Sequence, residues 1–231
     1  MFDWLKSKPA QRNLEIRDTL FGDVPFPRWV QVSPTAAALE PWVSFGRAKQ
    51  FIDSGDTRSA VATLQSVLHM PELESRHYLQ ACYFLREFGV NADPAKAKDV
   101  LGVVVEVGME KGVDLVAGYA DHHARYYNYS GKGIVWERPN STLDAVVDDL
   151  LSVGKAVAQA IGPWKDGRPP APRRGHARIN LLALGGLHFG QGPLDSLAKD
   201  RLGGPVVASA FRLMQELIKV TRGDAPSVGR P

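Results

Sequence analysis

Two stretches hold the residue types best suited to chemistry. The first runs from Gly112 to Glu137 and reads GVDLVAGYADHHARYYNYSGKGIVWE. Its Asp121-His122-His123 triplet offers imidazole and carboxylate, the ligands of zinc and iron. Adjacent residues on a strand point to opposite faces, so regular strand geometry keeps the two imidazoles from sharing one ion. No HExxH or other spaced ligand set accompanies them, and neither a metal nor another cofactor is expected. The second stretch, GGLHFGQGP, surrounds His188. Its glycines either let backbone amides approach a ligand or make tight turns. It is neither a GxGxxG leading straight into a helix nor a phosphate loop ending in Gly-Lys-Ser/Thr. A general-base role for His188, oriented by Asp195 or Glu137, is one chemistry open to it. The expected place is a polar or half-buried sheet position.

Strand alternation puts Arg125, Tyr127 and Tyr129 on one face with His123, and Tyr126 and Asn128 on the other. Guanidinium and phenol groups together give large contact area and directional donors. The candidates for binding a ligand or partner are Arg125, Tyr127, Asn128, Lys132, Glu137, His188 and Gln191, and no residue is assigned to catalysis. Geometry discriminates between the readings. His188 and Arg125 in one concave pocket would favour a small-ligand binder or enzyme, whereas opposite faces would remove that reading. Ser130 precedes Gly131 without a GxSxG pattern, so it is a turn serine. Cys82, inside LQACYFLREF, reads as a core thiol.

The whole chain narrows the classes further. Its 231 residues suffice for one large domain or two small ones. Hydrophobic content of 44% with 23% charge is ordinary for a globular protein. The formal charge of +3 is too small to imply nucleic acid, which is not an expected partner despite Arg168, Arg173 and Arg174 in one loop. One cysteine excludes an internal disulfide and suits a reducing compartment. The N-terminal MFDWLKSKPAQRN lacks the roughly 7–15-residue apolar core of a secretory signal. No run approaches the ~18 apolar residues of a membrane span, and a cytoplasmic location is expected.

The elements that must position these residues read as follows. Residues 1–34 form an extended arm, in which prolines oppose regular pairing and Phe21, Phe26, Trp29 and Val32 are placed to cross an apolar groove. Residues 35–111 read as helical. Trp42, Phe45, Ala48 and Ile52 mark a first helix, and Ala60, Leu64 and Val67 a second. Tyr78, Leu79, Cys82, Leu85 and Phe88 mark a third. Asp93-Pro94, a favourable N-cap and N1 pair, opens a fourth through Ala97, Leu101, Val104 and Val105. Residues 112–222 read as a three-strand meander, a helix from about Ser141 to Ile161, a glycine-turned hairpin near 177–190 and a final helix after Pro205. The proline-rich loop 163–176 reads as a solvated connector, and the tail 223–231 as disordered.

Within the helical segment, Phe51, Ala60, Leu64 and Val67 recur as Phe88, Ala97, Leu101 and Val104 at one constant interval. On these residues the stretch 43–107 resembles tetratricopeptide or Sel1-like helical hairpins, a resemblance that implies protein or peptide binding rather than catalysis. No binding residue carries over from it. The C-terminal element order is similar to that of roadblock- and longin-type modules, which implies a regulatory or dimerising scaffold at the level of fold alone.

The expected fold is therefore α+β, with N-terminal helical hairpins followed by a five-stranded antiparallel sheet in the order β-β-β-α-β-β-α, with two long helices. The expected function is protein–protein interaction, as an adapter or regulator without catalytic activity, with another protein or a second copy as partner. The alternative is a small-ligand binder or enzyme with a site around Arg125 and His188.

Overall fold

A computed structural model describes residues 15–28 and 39–222. The arm is not extended as expected: residues 15–18 and 26–28 are helical. Three longer helices follow: α1 (Trp42–Asp53), α2 (Thr57–Val67) and α3 (Ser75–Glu87). All three fall where apolar three-to-four spacing predicts them. Asp56 caps α2 by accepting from the Ser59 amide at 3.0 Å, and Gly89, at φ +75°, follows α3 in the left-handed conformation that a helix terminator needs.

The fourth helix is not there. The Asp93-Pro94 signal makes one turn, in which the Asp93 carboxylate accepts from the Ala95 amide at 2.9 Å, and the chain then enters strand β1 (Val100–Met109). The reason is side-chain shape. VLGVVVEVGM carries five valines, whose branched Cβ favours the pleated conformation over the helix, and two glycines that weaken a helix further. Ala97 thus lies in a turn and Leu101 and Val104 on a strand, while their counterparts Ala60, Leu64 and Val67 lie on α2.

β1 sits near the middle of the sheet, which has six strands rather than five and is antiparallel throughout. The others are β2 (Gly112–Tyr119), β3 (Ala124–Tyr127), β4 (Gly133–Trp136), β5 (His176–Ala183) and β6 (Gly186–Pro193), in spatial order β4-β3-β2-β1-β5-β6. Helix α4 (Asp144–Ala160) follows β4, the short α5 (Leu194–Leu197) follows β6, and α6 (Gly203–Arg222) closes the described chain. From Trp42 onward the element order is thus three helices, then β-β-β-β-α-β-β-α-α.

The two faces of the sheet are buried against different partners. Val103, Val105, Val116, Ile179 and Leu181 pack under α4 and α6. The opposite face, with Val104, Leu115, Ala117, Tyr119 and Leu182, packs against Leu79 of α3 and against Leu20 and Phe21 of the arm. Beyond α3 a third cluster joins α1, α2 and Phe26. The arm is held tightly: Phe26 stacks on Phe84 with centroids 3.5 Å apart, and the Tyr119 hydroxyl donates to the Leu20 carbonyl at 2.8 Å. Burying each such side chain stabilises by about 1.5–3 kcal/mol. Trp29, Val32 and the tail 223–231 lie outside the described residues.

The loop 163–176 differs from the solvated connector expected. The carbonyls of Pro169 and Pro170 accept from buried Arg178, at 3.2 and 2.8 Å, and that of Pro169 also accepts from Arg17. The loop backbone also lies so close over Gly108 that a Cβ there would meet the Pro172 and Arg173 carbonyls at 2.4 and 2.2 Å. Among the described residues, no helix is long and apolar enough to cross a membrane.

Candidate functional site

The sequence candidates separate into two groups at opposite ends of the sheet. Arg125 is buried on β3, where its guanidinium donates to the carbonyls of Ala124 and Trp136 and pairs with Glu137 at 2.8 Å. Tyr127 covers Gly133, whose missing Cβ leaves room for the ring. Asn128 and Lys132 shape the β3–β4 turn, the Asn128 carbonyl oxygen accepting from the Ser130 and Lys132 amides at 3.0 and 3.2 Å. These are structural tasks, and only the Arg125–Glu137 pair with neighbouring His123 forms a polar cluster.

His188 and Gln191 belong elsewhere. Both lie on β6, and three strands separate β6 from β3, a span of roughly 19 Å at ~4.8 Å per step. His188 stands opposite Leu181, so it faces α4 and α6, whereas Arg125 lies on the arm-covered face with Leu115 and Tyr127. It is 1% exposed, and burial lowers its pKa. Gln191 is committed to Arg178, accepting at 3.0 and 2.8 Å. The pocket that would join His188 to Arg125 does not form.

The open concavity lies between the C-terminal end of α3, the arm, residues 163–168 and the β5–β6 turn, with a volume of about 630 Å³. Its polar wall carries the cations Arg28, Arg86, Arg168 and Lys165 beside the carboxylates Asp23, Glu87 and Asp166, and its aromatic wall Phe21, Tyr83 and Trp164. Arg168 is compensated by Asp23 at 2.7 Å and Asp18 at 2.8 Å and lies over the Phe21 ring at 4.1 Å. One of its nitrogens, Nη1, is buried with no hydrogen-bond partner among the described residues. Although burial opposes its charge, Asp23 and Asp18 outweigh that and raise its pKa.

No family model, curated protein or solved structure matches this chain. The site therefore rests on its own geometry, and Arg86 distinguishes it. Its Nη1 donates to the Leu184 carbonyl at 2.9 Å, and no carboxylate among the described residues lies within 4.0 Å of its guanidinium. Burial pulls its pKa below the ordinary guanidinium value. Trp164 is fixed at the rim, 42% exposed, by its edge contact with Phe189 at 5.0 Å and by its indole N–H donating to the Gly167 carbonyl at 3.1 Å. Tyr83 donates to Glu87 at 3.0 Å, and burial with that carboxylate pushes its pKa up to about 12, so it is a neutral phenol.

Two further polar or reactive groups have settled roles. Glu106 has no exposed surface and is held by Arg17, by Arg178 at 3.4 Å and by the Asn180 amide at 3.1 Å. Cys82 lines a mostly apolar cavity of about 520 Å³ between α2 and α3, and burial raises its pKa, which keeps the thiol protonated and weakly nucleophilic. Nothing in the sequence marks Arg86, and Arg168 stands out there only as one of three loop arginines weighed against nucleic acid. Glu106 had a signal, a lone charge inside a valine run, which implies a paired carboxylate once the run is read as a strand.

Proposed function

We propose that this chain is a protein-interaction module of adapter or regulatory type, without chemistry of its own, and that the cleft beside Arg86 takes an acidic segment of a partner protein. The observation that carries this reading is Arg86 itself, a guanidinium drawn out of water in an open cleft, where Asp23 and Glu87 act on it only from beyond ion-pair distance. Such a group is costly until an anion pairs with it. Trp164, Tyr83 and the arginines around it are the residue types that dominate binding energy at protein interfaces. The lone reduced Cys82 suits work in the cytoplasm.

Fluorescence anisotropy with a labelled peptide of alternating Glu and Phe tests this. The full chain should bind it, more weakly as salt rises. A peptide with Lys in place of Glu should not bind. Arg86→Gln should weaken binding about tenfold or more, since a hydrogen bond to a charged group contributes about 1.5–3 kcal/mol. Lys165→Glu, an exposed change that spares the fold, should weaken it too. Equal affinity for both peptides, or no effect of either variant, contradicts the reading. Full displacement by inorganic phosphate would assign the cleft to a small anion instead.

A further inference from the structure

At the other end of α3, side chains from three separate segments converge. Glu74 directly precedes α3, His123 ends the β2–β3 turn, and Glu137 follows β4. Their ligand atoms, one from each residue, all lie within 4.8 Å of one another. The His123 Nδ1 is buried and has no hydrogen-bond partner among the described residues. Around it stand Glu137 Oε2 at 3.5 Å, Asp121 Oδ2 at 3.7 Å and Glu74 Oε2 at 3.9 Å. These separations are too long for hydrogen bonds, which lie at about 2.7–3.2 Å. They approach the spacing of about 3.4 Å between two ligand atoms on a tetrahedral ion with ~2.1 Å bonds. We propose that His123, Glu137 and Glu74 form a binding site for a divalent cation of the zinc class.

The surroundings fit that assignment. Arg125 bonds to Glu137 Oε1 at 2.8 Å, which leaves Oε2 turned toward the imidazole. Asp121 is already committed: its Oδ2 accepts from the Ser75 amide at 2.6 Å and its Oδ1 from the His123 amide at 3.0 Å. Through that amide it fixes the His123 backbone. Among the described residues, Glu74, Asp121 and Glu137 face the guanidiniums of Arg125 and of Arg76, which donates to Glu74 Oε2 at 2.5 and 3.2 Å, so a cation that shares or displaces Arg76 there offsets the remaining negative charge. Glu137 is 56% exposed, so an ion can enter from solvent and water can complete its shell. One imidazole with two carboxylates suits zinc better than magnesium or calcium, which prefer oxygen alone. His122 takes no part: its φ of +62° turns it away, and its Nε2 lies 3.0 Å from Asp148.

Isothermal titration calorimetry of the full chain with zinc chloride decides the matter. One ion per chain should bind, and Glu137→Gln and His123→Gln should each weaken it at least about tenfold. His122→Gln should bind as the unaltered chain does. Cobalt in place of zinc should give the intense visible absorption of a four-coordinate ion. Should His123→Gln fail to fold, the half-exposed Glu137→Gln carries the test alone. No binding heat, or zinc affinity unchanged in Glu137→Gln, overturns the proposal.

Discussion

Glu106 is the most deeply placed charge in the described chain, with no exposed surface and two guanidiniums within reach. Neutralising it leaves Arg17 and Arg178 as buried cations without a counter-charge. Glu106→Gln should therefore lower stability by about 3–5 kcal/mol, read from urea unfolding. His188 makes the opposite case. Its Nε2 has no partner among the described residues, and burial holds its pKa below that of the unfolded chain. The unfolded state thus binds the extra proton first, and His188 makes the folded state less stable as pH falls from about 6.5 through the folded pKa. His188→Leu should flatten the melting-temperature decline between roughly pH 7 and pH 5, measured against the unaltered chain. At this scale the sequence was partly legible. Alternation correctly put Arg125 and Tyr127 on one face, but it says nothing of which strand lies beside which, so His188 and Arg125 could not be separated by it.

Among the elements, β1 shows why local pattern fails. Val103, Val104 and Val105 are all at most 1% exposed, because helices cover one face of the sheet and α3 with the arm cover the other. A strand buried on both faces has no alternation to read. Its leucine and valines also matched helical spacing after a sound N-cap, so the period misled where branched side chains would have decided. The surface helices α1 and α2 carry one apolar stripe each and are legible for that reason. The packing of α4 on β1 depends on Gly154, where a Cβ would meet Val103 Cγ2 at 2.6 Å. Gly154→Ala gains about 0.5–1 kcal/mol of helix propensity but forces two packed elements apart at a cost of about 1–3 kcal/mol. The variant should be net destabilised in thermal unfolding. An alanine that raises the melting temperature would show that α4 has room to shift.

For the whole molecule, α3 is the connecting piece. One end meets the Glu74–His123–Glu137 cluster and the other the Arg86 cleft, about 20 Å apart along a helix of 13 residues. Neither site could be read locally. The cleft draws on the arm, α3, the 163–168 loop and the β5–β6 turn, segments brought together only by the tertiary fold. The central claim is that this cleft receives an acidic partner segment. An amide NMR titration of the full chain with the Glu/Phe peptide tests it most directly. Shifts should concentrate at residues 79–87, 163–168 and 183–187 and be lost in Arg86→Gln. Shifts centred on β3 and β4 instead, or an unchanged spectrum, would contradict it.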